Sequence, residues 1–262
     1  MVVIAGRAGD AFVKASGSVI SVADLAAHCS DILAGAYASS THSDEVMIEA
    51  RVEVDPVLGA ISYRGVPDVR VLVFRGVPVQ AMIRLPTRAS DGRANLHMGG
   101  MAVGIDLVTG VTTHGVLRGR RMPGHPDLAC AVGGRVIPQW DAMLAIAARC
   151  YDAIPLGYLG VDLVLDAALG PLVLELNARA GLTIQLANRR GLRASMEALV
   201  GADLAGASVD ERLALAPPAC GRRFRGDQRR PRKRRQPASS MTTRFRVPVR
   251  SAGSAWPGSV AS

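Results

Sequence analysis

The segment GVDLVLDAALGPLVLELN, residues 160–177, constrains the fold of this chain more than any other stretch. Two apolar runs are separated by a few small residues, a pattern that predicts a β-hairpin. With the turn at residues 167–170, Asp162 lies opposite Glu175. Asn177 shares their face because side chains alternate along a strand with a period of two. The hairpin therefore places two carboxylates and an amide on one sheet face, among leucine and valine neighbours.

Two facing carboxylates in such surroundings repel each other and are costly to desolvate. A divalent cation removes both problems. Carboxylate and amide oxygens are the hard ligands that Mg²⁺ uses when it shares its coordination sphere with phosphates and water. The spacing of Asp162, Glu175 and Asn177 therefore indicates a site for Mg²⁺ (or Mn²⁺). An exposed sheet face balanced by salt bridges is the alternative that spacing alone leaves open.

Further hairpins alternate with helices in the rest of the chain. The periodicity predicts hairpins over 1–20, 69–85 and 101–117, a strand over 45–54, and helices over 21–37, 140–151 and 191–205. Hairpins interleaved with helices predict an α+β fold with a largely antiparallel sheet. No apolar run reaches the ~18 residues of a membrane span, and the first residues lack the pattern of a signal peptide. We therefore expect a cytoplasmic protein without a membrane partner.

The net charge of +9 comes from the C-terminal end. Residues 221–262 contain twelve Arg or Lys and one acid, a net charge of +11, which leaves 9 − 11 = −2 for residues 1–220. Apolar periodicity also stops after residue 215, and such a segment cannot bury enough surface to offset its ordering entropy. We therefore expect a disordered basic tail over 216–262. A solvated extension is the simpler interpretation, and nucleic-acid binding through counterion release is the alternative.

An ordered set of motifs resembles the ATP-grasp ligases. In these enzymes an acid on one strand and a Glu-x-Asn on the next hold the metal ions that bridge the ATP phosphates, and GVDLVLD and GPLVLELNARAGL are similar to those strands. DVRVLVF, VQAMIRLPT and SDGRANLHMGG resemble the ribosomal-protein glutamate ligase group. PTRASDGRANLHMGG, IPQWD and LNARAGLTIQLANRRGL are similar to the alpha-L-glutamate ligase-like family, and the resemblance extends over residues 2–200.

The resemblance implies an ATP-grasp fold and an ATP-dependent ligase. Such an enzyme joins a carboxylate to an amine through an acyl phosphate, here with an amino acid or peptide as acceptor. It implies Asp162, Glu175 and Asn177 as metal ligands. Arg70 and Arg84 would be catalytic, because guanidinium groups match phosphate oxygens.

The remaining residues that the resemblance implies are ATP contacts. Glu49 would contact adenine and ribose, and Arg93, Asn95 and His97 would lie at the phosphates. Both assignments have a structural alternative. Glu49 could be a solvent-facing residue of a strand, and His97 could hydrogen-bond the backbone of its own turn. Arg179 would reach the second substrate.

The resemblance also divides the chain into a remnant of the small lobe (1–50), the large lobe with the metal site (51–215) and the tail (216–262). ATP-grasp enzymes carry two phosphate-binding lysines and a glycine-rich loop, whereas this chain has only Lys14 and Lys233. In one alignment the loop and both lysines precede Met1. In the other, Lys14 is the strand lysine that contacts phosphate. Both alignments imply weaker binding of the ATP phosphates. A non-catalytic protein that binds ATP and Mg²⁺ is therefore the second interpretation.

Overall fold

A computed structural model describes residues 2–14, 17–37 and 44–217, so the tail predicted over 216–262 lies almost entirely outside the described residues. The fold is α+β, as expected, with two antiparallel sheets. The strands are β1 (Ile4–Ala8), β2 (Ala11–Lys14), β3 (Val19–Ser21), β4 (Asp68–Phe74), β5 (Val77–Leu85), β6 (Met101–Ile105), β7 (Thr112–Leu117), β8 (Arg120–Met122), β9 (Tyr158–Asp166) and β10 (Gly170–Asn177). The helices are α1 (Val22–Leu33), α2 (Pro56–Gly59), α3 (Trp140–Ala153), α4 (Ile184–Asn188), α5 (Arg193–Val200) and α6 (Val209–Ala214). None of these helices in the described part of the chain is long and apolar enough to cross a membrane.

Seven strands form the larger sheet, in the order β10–β9–β4–β5–β6–β7–β8. The three predicted hairpins are β4–β5, β6–β7 and β9–β10, whereas strand β8 was not predicted. One face of this sheet is apolar throughout and packs on helix α3. The predicted period of α3 is confirmed, because Met143, Leu144, Ala147 and Cys150 are buried in that contact.

The opposite face of the larger sheet is divided between an apolar half and a charged half. Helices α4 and α5 cover the apolar half with Ile184, Ala187 and Leu199. Gly104 on β6 permits this contact, since a Cβ there would overlap the carbonyl oxygen of Ala187. The helix predicted over 191–205 is the shorter α5. The charged half is left open to a cleft.

The smaller sheet has the order β1–β2–β3. The hairpin predicted over residues 1–20 is confirmed by the pairing of β1 with β2, and β3 adds a strand that periodicity did not reveal. Helix α1 begins after Ser21, whose hydroxyl accepts the backbone N–H of Asp24 at 3.0 Å, as predicted for the N-cap. Its last helical residue is Leu33.

The strand predicted over 45–54 is wrong. Residues 44–53 form no regular structure, and Val54 contributes only an isolated bridge to Asp166. Within the described residues, β9 ends beside Val54, so no strand lies along residues 44–53 to form the β-ladder that a strand requires. Met47 and Ile48 are accordingly about 80% exposed.

Candidate functional site

A cleft of about 1660 Å³ lies over the charged half of the larger sheet. Its floor consists of side chains from β4, β5 and β10, and its sides come from the loops around residues 62–66 and 88–97. Lys14 of β2 and the irregular segment at residues 51–54 also line it. The cleft is therefore the place where the charged side chains of the sheet meet solvent.

Strand register places a charged row across the floor. Glu175 on β10 pairs with Asp162 on β9, as predicted, and Asp162 pairs with Arg70 on β4. Two residues earlier on β4, Asp68 pairs with Arg84 on β5. The β9–β10 register shifts at a bulge between Val173 and Glu175, so Glu175 lies beside Asp162 although the turn is tighter than predicted.

Two arginines neutralise the two buried aspartates of this row. Arg70 donates from Nε to Asp162 Oδ1 at 2.7 Å and from Nη2 to Oδ2 at 2.5 Å. Arg84 donates from Nη2 to Asp162 Oδ2 at 2.8 Å, and forms a two-point pair with Asp68. Asp68 and Asp162 are buried, at 6% and 0% exposure. The four groups together are electrically neutral when both aspartates are ionised.

Burial and pairing act in opposite directions on these carboxyl groups. Burial raises the pKa of Asp68 to about 7, although the charge of Arg84 opposes the rise. Burial would also raise the pKa of Asp162, but hydrogen bonds from Arg70 and the charge of Arg84 outweigh it and lower that pKa. The difference arises because Asp162 lies between two guanidinium groups, whereas Asp68 is paired mainly with one.

Glu175 and Asn177 lie at the open end of the row. The side chain of Glu175 is 61% exposed, and its Oε1 lies 4.0 Å from Nη2 of Arg70. Asn177 Nδ2 donates to Asp162 Oδ2 and to Glu175 Oε1, both at 3.1 Å. The repulsion expected between the two acids is thus relieved by Arg70 and Asn177. The described residues contain no cluster of three His, Cys, Asp or Glu side chains that would by itself hold a metal.

The sides of the cleft carry more positive than negative charge. Within the described ranges, five cations that line the cleft form no ion pair: Lys14, Arg51, Arg64, Arg93 and Arg179. The ion pair between Arg88 and Asp127 is long, at 3.9 Å. Unneutralised cations in a concave site favour anionic ligands.

The family model for sugar-transfer associated ATP-grasp proteins matches residues 1–200. The chain belongs to this family. No curated protein matches the chain significantly. Membership confirms the ATP-grasp resemblance and implies that the chain binds ATP. The narrower likeness to glutamate ligases stays a prediction.

Most of the residues predicted for the ATP-grasp site line the cleft. They are Lys14, Arg70, Arg84, Arg93, Asn95, His97, Glu175 and Arg179. Asp162 lies beneath them, and Asn177 contacts Glu175 beside the opening. Glu49 is exposed and does not line the cleft.

Asn95 and His97 belong to a short 3₁₀ turn, Leu96–Met98, at the edge of the cleft. The side-chain oxygen of Asn95 accepts the backbone N–H of His97 at 2.9 Å and so caps this turn. Arg93 Nη1 donates a weak hydrogen bond to the sulfur of Met98, at 3.8 Å. The turn therefore uses Asn95 for its own structure and presents Arg93 to the cleft.

Asp68 was not selected from the sequence. Asp68 lies two residues before Arg70 on a strand, so the alternation of side chains would have predicted that the two share a sheet face. Arg64 and Arg88 also line the cleft without having been predicted. Their loops have no periodicity, and nothing in the sequence distinguishes them from surface arginines.

Proposed function

We propose that this chain is an ATP-dependent carboxylate–amine ligase that forms an amide or peptide bond through an acyl phosphate. The supporting observation is the pair of guanidinium groups of Arg70, which is buried, and Arg84, which is partly buried; Asp68 and Asp162 hold them under a cleft rich in unpaired cations. Fixed cations beneath such a cleft can stabilise charge that develops during phosphoryl transfer. Family membership supports the nucleotide as one substrate.

Each of the two arginines can bind an oxyanion without losing its aspartate. Arg70 and Arg84 both use Nε and Nη2 in the ion pairs described above. Within the described residues, the remaining nitrogen, Nη1, takes no part in those bonds. The aspartates therefore fix the two guanidinium planes, and one N–H pair on each remains for a phosphate or carboxylate oxygen.

The donor set at the open end fits a divalent cation. The Glu175 carboxylate is exposed to the cleft. The amide nitrogen of Asn177 donates to the carboxylates of Asp162 and Glu175, which leaves its amide oxygen to bind a cation. Asp162 lies beneath these two residues with 0% exposure, so it would reach the cation through Oδ1, which accepts a single guanidinium bond. Bound Mg²⁺ would offset the phosphate charge during transfer.

Titration calorimetry with ATP and Mg²⁺ tests the nucleotide site. We expect Glu175→Ala to weaken binding at least tenfold, because it removes the exposed carboxylate of the donor set. Glu197→Ala is the matched control, since Glu197 pairs only with Arg193 on the surface of α5. Equal affinity in Glu175→Ala and wild type would contradict the proposal.

ADP release tests the reaction. In this mechanism ADP forms when the carboxylic acid is phosphorylated, and continued ADP release requires the amine that consumes the acyl phosphate. Glutamate is the first acid and amine to test, because of the motifs discussed above. The family's association with sugar transfer adds amino sugars to the acceptors. ATP binding without substrate-dependent ADP release would leave the non-catalytic interpretation, which is favoured because Lys14 is the one lysine among the described residues that line the cleft.

A further inference from the structure

Two arginines lie around one tyrosine at the side of the cleft. The guanidinium carbon of Arg64 lies 5.4 Å from the centre of the Tyr63 ring, and that of Arg88 lies 5.5 Å from the same point. Both side chains line the cleft and both residues are exposed. Contact with an aromatic ring holds a guanidinium group in place without neutralising its charge. Tyr63, Arg64 and Arg88 are called the arginine wall below.

Buried polar groups hold the loop that carries Arg88. Thr87 and Ser90 are almost fully buried, and their side chains bond each other's backbone. Thr87 Oγ1 also donates to the carbonyl of Gly99 at 2.8 Å. Satisfied hydrogen bonds remove most of the cost of burying such polar side chains. The loop is therefore a fixed support for an exposed charge.

A histidine and an aspartate fasten this loop to the rest of the fold. His125 Nε2 donates to the carbonyl of Pro86 at 2.8 Å, while its Nδ1 accepts the backbone N–H of Asp127 at 3.1 Å. The carboxylate of Asp127 in turn accepts the backbone N–H of Arg88 at 2.7 Å. The imidazole is neutral in this arrangement, because one ring nitrogen must donate and the other must accept.

The loop that carries Arg64 is packed backbone to backbone on the first loop. A Cβ at Gly65 would overlap the carbonyl oxygen of Gly92. Arg64 and Asp91, on either side of this contact, both have positive φ, 54° and 51°. Non-glycine residues in this region are strained, and the fold maintains the strain at the side of the cleft.

The arginine wall stands at one end of the charged row. Its loops lead into β4 just before Asp68 and out of β5 just after Arg84, whereas Glu175 lies at the other end of the row. If the phosphates of a nucleotide lie at Glu175 and Arg70, the part of the cleft near Arg84 and the arginine wall is open to the second substrate. This step rests on the proposed function.

We propose that the arginine wall binds a second, non-reacting oxyanion of the carboxylic co-substrate. The preferred substrate then carries two anionic groups: the carboxylate that is phosphorylated near Arg84, and a carboxylate or phosphate held by Arg64 and Arg88. Both anions suit the planar fork of a guanidinium group.

Calorimetry on the full chain, with Mg²⁺ and a non-hydrolysable ATP analogue, tests this subsite. The probes are succinate, glycerol 3-phosphate and propionate, which represent a dicarboxylate, a phosphate monoester and a single carboxylate. We expect wild type to bind at least one of the first two ten times more tightly than propionate. The double variant Arg64→Gln/Arg88→Gln should lose that preference and keep its affinity for the nucleotide analogue within about twofold. The control is Arg120→Gln/Arg121→Gln, which removes two exposed arginines of β8 that do not line the cleft.

Two results would overturn the subsite. One is equal binding of the three probes in wild type, and the other is a loss of nucleotide affinity in the double variant as large as the loss of dianion affinity. The second result would assign the wall to the nucleotide. Nucleotide binding is measured separately in every variant, so failure of the ATP site in wild type is distinguished from failure of the wall.

Discussion

Arg70 and Asp162 form a two-point ion pair between adjacent strands, in a position where the aspartate has no contact with solvent. Sequence separates the two residues by 92 positions, and the β4–β9 ladder brings them into register. An isolated carboxylate at such a depth would be strongly destabilising. The pair therefore couples the stability of the sheet to the geometry of the cleft.

Arg70→Met is expected to lower the free energy of unfolding by about 3 kcal/mol, because Asp162 stays buried with a weaker complement of donors. Urea denaturation measures the change. Arg193→Met, which removes the exposed pair with Glu197 at 2.7 Å, should cost no more than about 0.5 kcal/mol. Similar losses in the two variants would show that the buried pair contributes no more than a surface pair.

Asp68 is expected to make stability fall as the pH rises. Burial raises its pKa from 3.8 to about 7, so near pH 5 the folded protein retains a proton that the unfolded chain has released. The stabilisation from this proton is complete below pH 4 and disappears as the pH rises through 7. Asp68→Asn removes the titration, so its unfolding free energy should decline less between pH 4.5 and 8 than that of wild type. Parallel curves in urea titrations at several pH values would contradict the assignment.

The β9–β10 hairpin and the pairing of Asp162 with Glu175 were predicted from the sequence, because a period of two and a short turn determine which residues share a face. The partners of Asp162 did not. They depend on β9 lying beside β4, a contact between distant segments that no local pattern encodes. A metal was expected to relieve the repulsion between the acids, and the guanidinium group of Arg70 does so in the structure.

In residues 45–54, local periodicity predicted a strand that the structure does not contain. Their alternating pattern is as regular as that of β4, yet the described part of this segment meets a strand only at its end, where Glu53 and Val54 contact Asp166. Periodicity reports which side chains could share a face, whereas a strand also needs a neighbour for its backbone hydrogen bonds. The loops that carry Arg64 and Arg88 have no period at all, so their place in the cleft emerges only from tertiary hydrogen bonds.

His125→Ala is expected to loosen the loop that carries Arg88. The change removes the donor to Pro86 and the acceptor for Asp127, and should cost about 2 kcal/mol. Trypsin should then cleave after Arg88 and Arg93 on the order of ten times faster, since local opening exposes both bonds. Mass spectrometry of the fragments gives the rates. His28→Ala, which removes an edge contact with Tyr37, is the control, and unchanged cleavage in His125→Ala would argue against the fastening role.

Gly160→Ala is expected to damage both the fold and the nucleotide site. A Cβ at this position would lie 2.5 Å from Cβ of Ala180 and 3.5 Å from Cβ of Asn177. Ala180 cannot retreat freely, because its carbonyl accepts the hydroxyl of Tyr158 at 3.0 Å. Overpacking of this kind costs about 2 kcal/mol. The displaced segment begins at Asn177, so affinity for ATP and Mg²⁺ should fall as well.

Two further variants separate this contact from a general effect of the methyl group. Gly157→Ala adds a methyl three residues earlier, where nothing lies within 4 Å, and should change stability by less than about 0.5 kcal/mol. Gly160→Ala/Ala180→Gly removes the methyl that the new one would meet, and should recover most of the stability and of the ATP affinity. If Ala180→Gly restored neither stability nor ATP affinity, the proposal would fail. The close approach of β9 to the segment after Asn177 would then have no role in positioning the Asn177 amide.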